Sequence, residues 1–120
     1  MSKILFVDDD GDLLGLNVFM LRNLDYDVVS ATNGEEAVSK FKENSPDLTI
    51  MDIKMPKMDG FDAFFRIKNI NPDAKIVLIS AYAIDEKKLL KAKSMRLLEL
   101  VKKPYDFEII EDLVKKHVQS

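Results

Sequence analysis

Four short stretches carry side chains able to act together chemically: Asp8-Asp9-Asp10, Asp52, Ser80 and Lys102-Lys103-Pro104. Each stands at the C-terminal end of an apolar run. Gathered in one place, Asp8, Asp9 and Asp52 would crowd like charges, which is costly unless a cation sits among them or some are protonated. Hard oxygen donors of this kind suit Mg²⁺, an ion that keeps several waters and takes few protein carboxylates. With the metal bound, the Asp52 carboxylate can attack phosphorus and become an acyl phosphate. A phosphoryl group in transfer spreads charge over three equatorial oxygens, and each needs a partner. The metal can take one, the Lys103 ammonium a second, and the Ser80 hydroxyl with nearby backbone N–H groups the third.

Taken singly, each feature also has an ordinary reading. An acidic run after a strand is commonly a solvated loop or a helix N-terminus, and Lys103 beside Lys102 suits a solvated edge. It is the agreement of four strand ends that points to a site.

The elements that must position these groups follow from apolar patterning. Ile4–Val7, Val28–Ala31, Leu48–Met51, Ile76–Ile79 and Leu97–Val101 are short apolar runs without alternation, as in strands buried on both faces of a parallel sheet. Between the first two, Leu13, Leu16, Met20 and Leu24 recur at helical spacing and predict one core-facing stripe. Asn33-Gly34-Glu35-Glu36 reads as the N-cap and acidic first turn of a second helix bearing Ala37, Val38 and Phe41. Phe61, Phe64 and Ile67 suit a third, and a fourth begins near Asp85 and carries Leu89. A last helix follows Asp106, with Phe107, Ile110, Leu113 and Val114 on one side. Five strand–helix alternations predict an α/β, doubly wound parallel sheet with right-handed crossovers. In such sheets ligands bind beyond the carboxyl ends of the strands, at the switch point, where the polar residues above fall. No linker or repeat divides the 120 residues, which are read as one domain spanning 1–120.

Composition removes several function classes. A formal charge of −3 gives no electrostatic basis for direct nucleic-acid binding. The absence of cysteine excludes disulfides and thiolate metal centres and is compatible with a reducing cytoplasm, the expected location. The opening apolar run is too short for a signal-peptide core or a membrane span. An acidic first loop repels phosphate, and no Walker or dinucleotide fingerprint is present. The methionines read as core fillers. His117, the only histidine, is expected to be solvated near the end of the last helix, interacting with its dipole. Lys87, Lys88, Lys91, Lys93 and Arg96 make the fourth helix basic.

The stretches Ile4-Leu5-Phe6-Val7-Asp8-Asp9-Asp10, Met51-Asp52-Ile53-Lys54-Met55-Pro56-Lys57-Met58-Asp59-Gly60, Ser80-Ala81 and Lys103-Pro104 together resemble the receiver domains of two-component response regulators, in that family's order and spacing. The resemblance implies a flavodoxin-like fold with strand order 2-1-3-4-5. It implies that Asp52 is the phospho-acceptor, with Asp9 and Asp52 as direct Mg²⁺ ligands. Asp8 would act through metal-bound water, and the Lys54 carbonyl would complete the protein ligands. Ser80 would be the switch hydroxyl, Lys103 the phosphoryl-binding lysine, and the Lys103–Pro104 bond cis. Lys54 and Tyr82 would flank the solvent approach to Asp52. The implied partners are a histidine kinase or phosphotransfer protein and a downstream protein target on the face of helix 4, strand 5 and helix 5. Such a protein is a phospho-accepting signalling domain and not an enzyme acting on a separate substrate. Single-domain phosphorelay receivers of the sporulation type are similar in detail. Two departures stand out. Leu100 occupies the usual position of a switch aromatic, and Arg96-Leu97 replaces a common Gly-Ala pair. An alternative resemblance is to haloacid-dehalogenase-type phosphatases, whose opening Asp-x-Asp loop would make Asp8 the nucleophile and Asp10 the acid.

Overall fold

The computed structural model describes residues 2–81 and 83–118, so Tyr82, expected to flank Asp52, lies outside the described residues. In it strands and helices alternate as β1 (Lys3–Val7), α1 (Gly11–Asn23), β2 (Asp27–Ala31), α2 (Gly34–Asn44), β3 (Leu48–Asp52), α3 (Gly60–Ile70), β4 (Ile76–Ser80), α4 (Glu86–Ser94), β5 (Glu99–Lys102) and α5 (Phe107–His117). All strand pairs are parallel, in the order β2-β1-β3-β4-β5. The expected doubly wound sheet is therefore present, with its winding reversed between β1 and β3.

Two apolar layers hold it. On one face Leu5, Val7, Met51 and Leu78 pack with Phe41 of α2 and Phe64 of α3. On the other, Ile4, Phe6, Ile50 and Ile79 meet Leu21 of α1 and Ile110 of α5. Every residue of β3 and β4 is buried, which is why those runs show no alternation. Each such apolar side chain contributes about 1.5–3 kcal/mol when fully buried. Side-chain caps start four helices: Asp10 for α1, Asn33 for α2, Asp59 for α3 and Asp85 for α4. Each cap satisfies a backbone donor that the helix itself leaves unpaired, a contribution of about 1 kcal/mol.

Three sequence expectations need correction. The inward stripe of α1 is Leu14, Asn17, Val18 and Leu21, whereas Leu16 is 54% and Leu24 40% exposed. α1 is apolar around most of its circumference, so its periodicity admitted two phases and the sheet selected one. β5 begins at Glu99, not Leu97, because Arg96 takes a left-handed conformation (φ 64°) and Leu97 N–H closes the end of α4 on the Ala92 carbonyl. Arg96 thus does at a helix end what glycine does easily, and its guanidinium bonds the Pro72 carbonyl and Asp73. His117 is not solvated: its side chain is 14% exposed and Nε2 lies 2.6 Å from the Glu99 carboxylate on β5.

Gly60 brings the start of α3 against the end of β3. Its N–H donates to the Ile53 carbonyl at 2.6 Å, and a Cβ here would run into the Asp52 carbonyl and lie 2.7 Å from Ile53 Cα. Both obstacles are backbone, so neither can swing aside. Gly60→Ala is expected to destabilise the fold by about 1–3 kcal/mol, the usual cost of overpacking. Urea unfolding checks this, and an unchanged midpoint would show that the two elements can separate at little cost.

Candidate functional site

β1 and β3 are neighbours in register, with Val7 opposite Met51, so the residues that follow each strand's core lie side by side. Asp8 is fully buried and Asp52 nearly so, while Asp9 is exposed. Carboxylate oxygens of the three lie within 4.8 Å of one another. The Asp8 N–H is spent on the Ala31 carbonyl of β2, and one Asp8 oxygen accepts the Asp10 N–H at 2.9 Å, which fixes the carboxylate's orientation. From the far side of β4, the Lys103 N–H donates to the Ser80 carbonyl at 2.8 Å. That bond sends the Lys103 ammonium over the sheet edge, 3.0 Å from Asp52 Oδ2 and 3.4 Å from Asp8 Oδ2. Ser80 ends β4 and is buried; Lys54 lies exposed in the loop two residues after Asp52. A groove of about 470 Å³, lined by Lys54, Asp59, Ser80, Ala81 and Lys88 among others, opens beside them. The Lys103–Pro104 bond is cis, as the resemblance implied.

The electrostatics are those of a site with excess negative charge. Burial, with the neighbouring Asp8 charge added, pushes the Asp52 carboxyl up to about 6 against the opposing Lys103 hydrogen bond. Burial also works against the Lys103 ammonium, but the Asp52 hydrogen bond and the charges of Asp52 and Asp8 outweigh it and hold its pKa above that of free lysine. Both shifts favour the protonated form. Three carboxylates against one ammonium leave two negative charges in surplus. A divalent cation among hard oxygen donors matches that surplus in charge and chemistry, so the residues present fit Mg²⁺.

Two side chains at the rim were passed over in the sequence. Asn17 of α1, 2% exposed, donates from Nδ2 to the Tyr105 hydroxyl at 3.0 Å. Burial raises the Tyr105 phenol, which this bond opposes. The available signal was an amide inside an apolar helical stripe, hidden because the stripe was read in the other phase.

The model of the response regulator receiver domain matches residues 4–115. The chain belongs to that family. Among its relatives, it is 35% identical to the chemotaxis protein CheY of Bacillus subtilis over 115 residues, 95% of each chain. It is 31% identical to sporulation initiation phosphotransferase F of the same organism over 117 residues, 98% of this chain and 94% of that one. The response regulator TrrA of Thermotoga maritima, solved in complex with Mg²⁺ and BeF, superposes with a TM-score of 0.85 at 35% identity, covering 98% of this chain and 100% of that one. The protein is thus a receiver of two-component signal transduction. The phosphatase alternative is not supported. Asp10 is engaged in capping α1 through Asp12 and Leu13 N–H; such phosphatases also need a later acidic pair at a strand end, and Glu111-Asp112 lies within α5. Among the described residues of this receiver no helix is long and apolar enough to cross a membrane.

A buried carboxyl raised to about 6 binds its proton more tightly in the folded state than in the unfolded one. Its contribution to stability is therefore full below about pH 4 and is lost as pH rises toward and past 6. In chelator, Asp52→Asn removes that loss, and we expect the variant to be about 1–2 kcal/mol more stable than the parent at pH 7.5, with the gap closing by pH 4. Urea unfolding at both pH values checks this, and a gap independent of pH would contradict it.

Proposed function

We propose that residues 1–120 form one receiver that accepts a phosphoryl group onto Asp52 from a histidine kinase or phosphotransfer protein. The observation that carries the reading is the Lys103 ammonium held within 3.4 Å of both Asp52 and Asp8, beside a third carboxylate, at the sheet's switch point. The Asp52 oxygen attacks phosphorus in line while the phosphorus–nitrogen bond of the donor phosphohistidine breaks, its electron pair returning to the imidazole. As charge leaves the Asp52 carboxylate for the phosphoryl oxygens, the Lys103 ammonium follows it, and the Ser80 hydroxyl donates to a second oxygen. Asp9, Asp52 and the Lys54 carbonyl would hold Mg²⁺, with Asp8 acting through water. The ion supplies charge neutralisation for the transferring group. TrrA, 35% identical and solved in complex with Mg²⁺ and BeF, supports the reading of this acidic cluster as a Mg²⁺ site.

The product is a covalently modified domain whose output is a change of shape. Ser80, drawn toward the phosphoryl group, biases an equilibrium that reshapes the face of α4, β5 and α5 for a downstream protein. Leu100, half-buried on β5 against the α2–α3 layer, lacks the ring and hydroxyl of a switch aromatic. A smaller rearrangement at that position is expected when structures with and without beryllofluoride are compared, and a large Leu100 rotamer swing coupled to Ser80 would argue the reverse.

Labelling from acetyl phosphate in Mg²⁺ tests the acceptor directly. Asp52→Asn is expected to abolish it and Asp9→Ala to remove both metal binding and labelling. Acid-stable label on Ser80, or labelling that persists in excess chelator, would defeat the proposal.

A further inference from the structure

Asn17 breaks the apolar pattern of its helix. Its neighbours on the buried stripe are Leu14, Val18 and Leu21, and a primary amide placed there costs free energy unless bonded. Its hydrogen-bond partner, the Tyr105 hydroxyl, lies 88 residues away in sequence and two residues beyond Lys103. The Tyr105 ring packs on the layer shared by α1 and α5, so ring and hydroxyl together fasten this point of the chain to α1.

Lys103 needs such fastening. It follows the last residue of β5, and only its own N–H bond to the Ser80 carbonyl continues the sheet. Pro104 has no N–H to give, and Asp106, the N-cap of α5, makes no side-chain cap bond. The outer end of the β5–α5 loop therefore leans on Tyr105. At the other end the Lys103 side chain must span the sheet edge to reach Asp52 and Asp8.

We infer that Asn17 and Tyr105 are positioning residues, a polar clamp between α1 and the β5–α5 loop that sets the Lys103 ammonium on the acceptor carboxylate. The inference rests on the reading of Asp52 as acceptor and Lys103 as the phosphoryl-binding lysine. Neither clamp residue touches the reacting atoms. Their effect is on the register of Lys103, and transfer is sensitive to displacements of about 1 Å in such a group.

Labelling by acetyl phosphate in saturating Mg²⁺ is compared in the parent, Tyr105→Phe, Asn17→Leu and the Asn17→Leu/Tyr105→Phe double variant. Asp52→Asn serves as the blank, and urea unfolding is measured on each. Each single variant is expected to label about tenfold more slowly. The double should show the same factor and not the product, because one bond is being removed. The double also replaces both polar partners by apolar groups, so it regains the stability that an orphaned amide or hydroxyl loses in the singles. Its labelling stays slow nonetheless, and its Mg²⁺ affinity stays at the parent's, since the clamp holds no metal ligand. A pair that mattered only for folding would let labelling recover with stability. A stable double variant labelling at the parent's rate therefore overturns the inference. Should the double not fold, Tyr105→Phe, which keeps the ring, decides the matter below its unfolding temperature, and a parent-like rate there is equally fatal. Labelling that survives Asp52→Asn would instead overturn the reading of the site on which the clamp rests.

Discussion

Three carboxylates and one ammonium meet at the carboxyl edge of the sheet, and the mismatch between them governs the rest of the structure. The Lys103 ammonium compensates part of the charge of Asp8 and Asp52, at 3.4 and 3.0 Å, but cannot neutralise both, and Asp9 adds a third. A site in that state attracts divalent cations, and it resists full ionisation, which is why the Asp52 carboxyl is raised. Burial intensifies each of these effects because the interior screens charge poorly. Had Asp8 and Asp52 been as exposed as Asp9, water would have weakened both the repulsion and the pull on Lys103.

Holding such a cluster together requires rigid strand ends, and the fold supplies them by close approach. The parallel register puts Asp8 beside Asp52, while the Ser80 carbonyl ties β4 to the backbone of Lys103. Gly60 allows α3 to begin against the carbonyl of Asp52 itself. Gly34 does the same for α2 at the Met58 carbonyl, to which it also donates at 3.0 Å. The loop after β3 is thus clamped by two helix starts. Lys88 of α4 adds ion pairs to Asp59 and Asp62 at 3.6 Å, joining α4 to the start of α3.

Much of this was legible in the sequence because its signals are local. Doubly buried strands announce themselves as unbroken apolar runs, and Asp10, Asn33, Asp59 and Asp85 stand where capping chemistry needs them. The site was legible because parallel sheets place chemistry at strand C-termini, so Asp8, Asp52, Ser80 and Lys103 could be gathered by position alone. What escaped depends on contacts distant in sequence. The phase of α1 was ambiguous because Leu13, Leu16 and Phe19 are as apolar as the residues it buries, and Asn17 was unremarkable until Tyr105 appeared beside it. His117 looked solvated because Glu99, its partner, lies on a strand 18 residues away. Arg96 at a positive φ was likewise invisible, since arginine carries no turn signal.

α1 occupies a place in the site that its lack of any reacting residue would not suggest. Its first turn is capped by Asp10, whose own N–H is held by Asp8, so the start of the helix is keyed to the acidic end of the cluster. Two turns later Asn17 is keyed to Tyr105, and through the short Lys103-Pro104 link to the cationic end. A helix is stiff over that distance, with its intervening carbonyls and N–H groups bonded to one another. The same element therefore references both signs of charge. Buried polarity in an otherwise apolar stripe costs stability in any helix. In α1 the sheet selects one of two available apolar phases, and on the face so buried the Asn17 bond to Tyr105 ties the helix to the Lys103 loop.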